Sequence, residues 1–100
     1  MNRWYMGVAK ISTGVMIATA NAQPLGQNIP CRRISICCEF GVQAYIVSQD
    51  HRDVTRGFPI PQMQADGNFS WYELWVNNIS VPWIVTQQGN ATVHWIAEEV

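Results

Sequence analysis

With 100 residues, 48% of them hydrophobic and only 13% charged, the chain is large enough for one domain with its own core. Its charge content is about half the ~25% of an average soluble domain. Six basic side chains against seven acidic ones exclude a binder of nucleic-acid phosphates, which needs clustered cations; Arg32-Arg33 is the one basic pair. No stretch reaches the ~20 consecutive apolar residues of a membrane-spanning helix.

In chain order, residues 4–11 are apolar with mixed parity and predict a first strand or an arm laid on a partner. Arg3, the weak apolar run 14–20 and Ala20-Asn21-Ala22 imitate a secretion signal. Lys10, Ser12 and Thr13 break up the front of the run, and the segment is read as part of the mature chain. Gly14 is expected to interrupt, with a strand over residues 15–19. Gln, Asn, Pro24, Gly26 and Pro30 predict a loop over residues 20–30. Residues 31–39 predict a strand with Ile34, Ile36 and Cys38 on one face and Arg33, Ser35 and Cys37 on the other. Phe40-Gly41 turns the chain into a partner strand over residues 42–48. Most of the charge sits in an exposed loop over residues 49–56. Prolines 59 and 61 restrict residues 57–61 to a sheet edge or a connection.

Asp66-Gly67-Asn68 signals a reversal. Residues 69–97 follow, with four of the five tryptophans and three β-prone segments, 69–76, 79–86 and 91–97. Gln87-Gln88-Gly89-Asn90 is the turn between the last two, because Gly and Asn tolerate positive φ. On the last strand Val93, Trp95 and Ala97 share one face, with Thr92 and His94 opposite. Ile79, Val81, Trp83 and Val85 share a face too, and Trp83 and Trp95 are expected in the core. Residues 69–76 are apolar on both sides: Tyr72, Leu74 and Val76 against Phe69, Trp71 and Trp75. Such a strand is either central and covered twice or buried by another subunit.

No helical periodicity is sustained anywhere. Short strands at roughly ten-residue spacing predict an all-β fold, a single antiparallel, jelly-roll-like β-sandwich of seven or eight strands. Residues 1–22 form the N-terminal arm and first strands, and residues 23–100 the sandwich.

Chemistry-bearing motifs are scarce. The three cysteines lack metal-ligand spacing; buried thiols in a reducing compartment are expected, with a disulfide from Cys31 as the alternative. Asp50-His51-Arg52-Asp53 places a base beside carboxylates, but sequence neighbours on a loop rarely form a relay, so a solvated polar loop is the reading. His94 is expected on an outer surface. No phosphate loop or nucleophile motif occurs, and no catalytic, cofactor or metal residue is assigned. Trp4, Tyr5, Phe69, Trp71 and Trp75 are the candidate interface residues, since aromatic side chains anchor interfaces at low entropic cost. The alternative use of such rings is stacking on sugars in a carbohydrate-binding sandwich.

Pro30-Cys31-Arg32-Arg33-Ile34-Ser35-Ile36, then Ala44-Tyr45-Ile46-Val47, then Gly57-Phe58-Pro59-Ile60 follow one another in a distinctive order. Val76-Asn77-Asn78-Ile79 then leads to Trp83-Ile84-Val85, and Ala91-Thr92-Val93-His94-Trp95-Ile96-Ala97 closes the series. This order resembles small β-sandwich virion structural proteins of tailed bacteriophages, the decoration (cement) and fibre-base proteins, over about residues 24–97. Cys37-Cys38 and the heavier aromatic load depart from the pattern. The resemblance implies no catalytic residue and no cofactor. It implies a non-enzymatic homotrimer on the outer surface of an icosahedral head, assembled in the host cytoplasm, with the major capsid protein as partner and neither nucleic acid nor membrane. Residues 1–13 are then expected to pass to a neighbour as an arm, with Trp71 and Trp75 at the trimer seam.

Overall fold

The computed structural model describes residues 10–100. Eight strands form two four-stranded antiparallel sheets: β1 (Ile11–Ala18), β2 (Gln23–Pro24), β3 (Cys31–Cys38), β4 (Ala44–Val47), β5 (Phe58–Pro59), β6 (Tyr72–Leu74), β7 (Trp83–Thr86) and β8 (Ala91–Glu99). One 3-10 turn (Val54–Arg56) precedes β5, and the Asp53 side chain accepts from the Thr55 N–H at its start.

The first sheet runs β1-β8-β3-β6 and the second β2-β7-β4-β5. The pairs β1·β8, β2·β7, β3·β6 and β4·β5 are the rungs of one long antiparallel ribbon. Rolled up, the ribbon brings β8 against β3 and β7 against β4 as well. This is the eight-stranded jelly roll. At its rolled end, backbone bonds from Cys38 N–H to Pro61 O and from Met63 N–H to Cys38 O tie the end of β3 to the segment leaving β5.

The core lies between the sheets and follows the alternation of the two longest strands. From β3 come Ile34, Ile36 and Cys38; from β8 come Ala91, Val93, Trp95 and Ala97; Ala44, Ile60, Ile79 and Ile84 face them. Burying each branched aliphatic side chain stabilises the fold by roughly 1.5–3 kcal/mol. The turn into β8 forms as expected: Gly89 takes φ +79°, and Thr86 Oγ1 donates to Gly89 O at 2.7 Å.

Several expectations are corrected. Gly14 does not interrupt a strand; it lies inside β1, paired with Trp95. A Cβ at Gly14 would overlap the Trp95 indole. The glycine is therefore the space into which the ring packs, and the ring replaces the missing side chain. Because Ile11, Ser12 and Thr13 pair with β8, they are not part of an exchanged arm. Within residues 20–30, Gln23 and Pro24 pair with Ile84 and Trp83, and the Leu25 N–H donates to Pro82 O at 2.8 Å.

Trp83 is not in the core. Residues 79–82 are a turn in which the Ser80 N–H and hydroxyl donate to Asn78 Oδ1, so strand parity does not carry through from Ile79. The inward side chains of β7 are Ile84 and Thr86; Trp83 and Val85 face out from the second sheet. Finally, β6 is the outer strand of its sheet, which eliminates a doubly covered central position for residues 69–76.

Burial explains the cysteines. Cys31 and Cys38 join the core, and adjacent Cys37 faces the other side of β3 yet is only 2% exposed. Desolvation pushes all three thiols above their ordinary value, helped by Glu99 at Cys31 and by Glu39 at Cys37 and Cys38. The folded state thus disfavours the thiolates while the unfolded chain does not. Their contribution is fully present below the ordinary thiol value of 9.0 and is lost as pH rises through the higher folded values. Denaturant midpoints are expected to fall from pH 9 upward, less steeply in Cys→Ser variants. A thiol-specific disulfide reagent should label the native protein at pH 8 far more slowly than the unfolded one.

Candidate interaction surface

The two sheets treat their outer faces differently. On the second sheet, Val47 and Val85 point outward but are 5% and 3% exposed. The segment 49–57 lies over this face: Gly57 backs onto Tyr45 and Val47, and the Arg52 guanidinium stacks 4.0 Å from the centre of the Trp83 ring. The charged loop is therefore a cover for apolar residues. Truncating Arg52 to alanine is expected to cost about 0.5–1 kcal/mol and to expose Trp83, read as a red shift of its fluorescence.

The outer face of the first sheet buries Cys37 but leaves large apolar side chains open along β1 and β8. Alternation along β1 turns Ile11, Thr13, Val15 and Ile17 outward. Register sets them beside Glu98, Ile96, His94 and Thr92 of β8, and those in turn beside Arg33, Ser35 and Cys37 of β3. Glu73 of β6 pairs with Ser35. Ile11, Val15, Ile17 and Ile96 are 41–68% exposed, and Trp75, next to Arg33, is 72% exposed. Three of these strands run eight or nine residues, so at about 4.8 Å between strands and ~3.3 Å per residue they make a face on the order of 400 Å², shared by apolar and polar side chains. Exposed large apolar side chains clustered on one face mark an interaction site.

Two polar groups sit within it. The Arg33 Nη1–H donates to Glu73 Oε2 at 3.0 Å and the Nε–H to Glu98 Oε1 at 3.1 Å, while its guanidinium lies 5.5 Å from the centre of the Trp75 ring. His94 Nε2 and Glu39 Oε2 are 2.7 Å apart. Arg33 and Glu73 are 43% and 45% exposed, so water screens the pair and its contribution is ~0–1 kcal/mol. What the network does is orient: two carboxylates on one guanidinium fix Arg33, and with it the neighbourhood of Trp75. Arg33→Ala is expected to change the unfolding free energy by less than about 1 kcal/mol. Ile11, Arg33, Ser35, Glu73, Ile96 and Glu98 line a depression of about 220 Å³ here.

The candidate interface residues divide. Phe69 (48% exposed), Trp71 (43%) and Trp75 lie outside the core, whereas Tyr72, Leu74 and Val76 pack against it. Phe69 and Trp71 stack edge to face with ring centres 5.7 Å apart. Trp4 and Tyr5 lie outside the described residues. Sequence reasoning missed Ile11, Val15, Ile17 and Ile96. For the three on β1 the signal is the odd-numbered alternation from Ile11 to Ile17, which the expected interruption at Gly14 hides.

His51 is exposed on the covering loop, where its backbone N–H donates to Ser48 O at 3.2 Å. Among the described residues no group of three His, Cys, Asp or Glu side chains is placed to hold a metal ion. Among the described residues no helix is long and apolar enough to cross a membrane. No protein-family model matches the chain, and no curated protein or solved structure matches it.

Proposed function

We propose that this jelly roll is a non-enzymatic structural subunit that works as an oligomer, a decoration (cement) protein on the outer surface of a tailed-phage head. The observation that carries the reading is the asymmetry of the two outer faces: one is covered by the chain's own loop, the other presents exposed Ile11, Val15, Ile17, Ile96 and Trp75. A surface this apolar around so few charges is stable in water when copies of the chain or a larger shell cover it. The resemblance of residues 24–97 to virion decoration proteins supplies the shell. A subunit that binds the assembled lattice and not its free parts stabilises the lattice by mass action, and repetition over the head multiplies a modest contact.

Sedimentation velocity at micromolar concentration and co-sedimentation with empty expanded heads of the parent particle test this. A trimer that pellets with heads is expected; a monomer that stays in the supernatant sinks the reading.

One observation favours a second reading, a carbohydrate-binding sandwich: Trp75 exposes its ring beside Arg33 and Glu73. Titrating neutral and amino sugars while following tryptophan fluorescence separates the two. The first reading is preferred because Glu73 and Glu98 already occupy the Arg33 donors that a sugar hydroxyl would need.

A further inference from the structure

We propose that the outer face of the first sheet is the seat of residues 1–9 from a neighbouring copy, with Arg3 at the acidic depression between Glu73 and Glu98. This rests on the oligomeric reading above and names what fills its seam.

Charge is the first argument. Around the depression two carboxylates share the single guanidinium of Arg33, and Glu39 adds a third carboxylate further along the same face beside His94. Residues 1–10 contain Arg3 and Lys10 and no acidic residue. A second cation at Glu73 and Glu98 balances the cluster, and such complementarity fixes register between partners.

Size is the second. At about 220 Å³ the depression lies below the ~300–1,000 Å³ of small-molecule sites. It accommodates a single large side chain. Trp4, Tyr5, Met6 and Val8 match the Ile11, Val15, Ile96 and Trp75 surface in kind.

Reach is the third. Nine residues span at most ~30 Å, while the four strands of the sheet are only ~14 Å across from first to last, so the segment is long enough to cross the whole face. The Glu99 N–H donates to Lys10 O at 2.8 Å, which sets the start of the described chain at the end of the sheet where Ile11 and Glu98 line the depression.

The test uses the full chain without heads. A benzophenone amino acid replaces Trp4, the protein is mixed with isotope-labelled wild-type chains, and the mixture is irradiated. Adducts joining a light and a heavy chain are expected, with the cross-link mapping to β6 or β8. Adducts only within one chain, adducts to another surface, or no adduct overturn the proposal. Arg3→Glu is expected to weaken self-association about tenfold, and adding Glu73→Arg to recover most of the loss; an unchanged association constant also overturns it. An oligomer that cross-links as stated but ignores heads sinks the capsid reading alone. One that pellets with heads while cross-linking elsewhere sinks this inference alone.

Discussion

Trp95→Ala is expected to lower the unfolding free energy by about 3–5 kcal/mol, the range for removing a buried tryptophan. For a domain whose whole stability is of order 5–15 kcal/mol, this leaves a protein close to unfolding at room temperature. The melting temperature should fall by ~20 °C, read by calorimetry or far-ultraviolet circular dichroism. The size of the effect follows from the ring's two duties. Trp95 is 9% exposed and belongs to the core cluster between the sheets. It also lies over Gly14, supplying the cover that β1 lacks at that position. Its removal opens a cavity in the core and strips β1 of the ring that packs over Gly14. A loss below about 1 kcal/mol would mean that the indole is not packed as described.

Gly14→Val is the complementary prediction. The added branch meets the indole, so either the ring or the strand must move, and overpacking of this kind costs ~1–3 kcal/mol or more. The two changes should not add. With Trp95 already alanine, the valine enters the vacated space, and its penalty should shrink by roughly 0.5–3 kcal/mol, the coupling of residues in direct contact. A double-mutant cycle by urea denaturation measures this. Equal penalties in both backgrounds would show that Gly14 is required for its backbone conformation and not for the room it gives the ring. Its partner position in a regular ladder, opposite Trp95, argues for the room.

The pair also shows what a linear reading could and could not see. β3 and β8 were legible because each is long, alternates strictly, and has one face on the core: Ile34, Ile36, Val93, Trp95 and Ala97 fall inward as their parity requires. The all-β sandwich followed from such runs and from turn residues at Gly67 and Gly89, both of which take positive φ. Gly14 misled because a glycine's meaning depends on what packs over it, and Trp95 is 81 residues away. Trp83 misled because parity was extended across residues 79–82, where Asn78 builds a turn with its side chain. β2 was invisible because two residues cannot show alternation; it exists because β7 offers an edge and Leu25 a buried anchor.

For the surface, the two-sided apolarity of residues 69–76 was readable, and its outward set, Phe69, Trp71 and Trp75, is exposed. That β1 and β8 extend the same surface was not readable, since it depends on β1 pairing with β8 at all. Nor did the sequence indicate that the charged loop at residues 49–57 shields the opposite sheet, because a stack such as Arg52 on Trp83 joins residues with no pattern between them.

The pairing of β1 with β8 has a consequence for folding kinetics. Ile11 meets Glu98, 87 positions further along, so forming this ladder closes a loop that contains every other strand of the sandwich. Until it forms, Met16 and Ala18 on the inner side of β1 lack the core they pack against. The rolled end, where β4 and β5 are close in sequence, can pair early, and closure at β1 comes afterwards as a slow, non-local step.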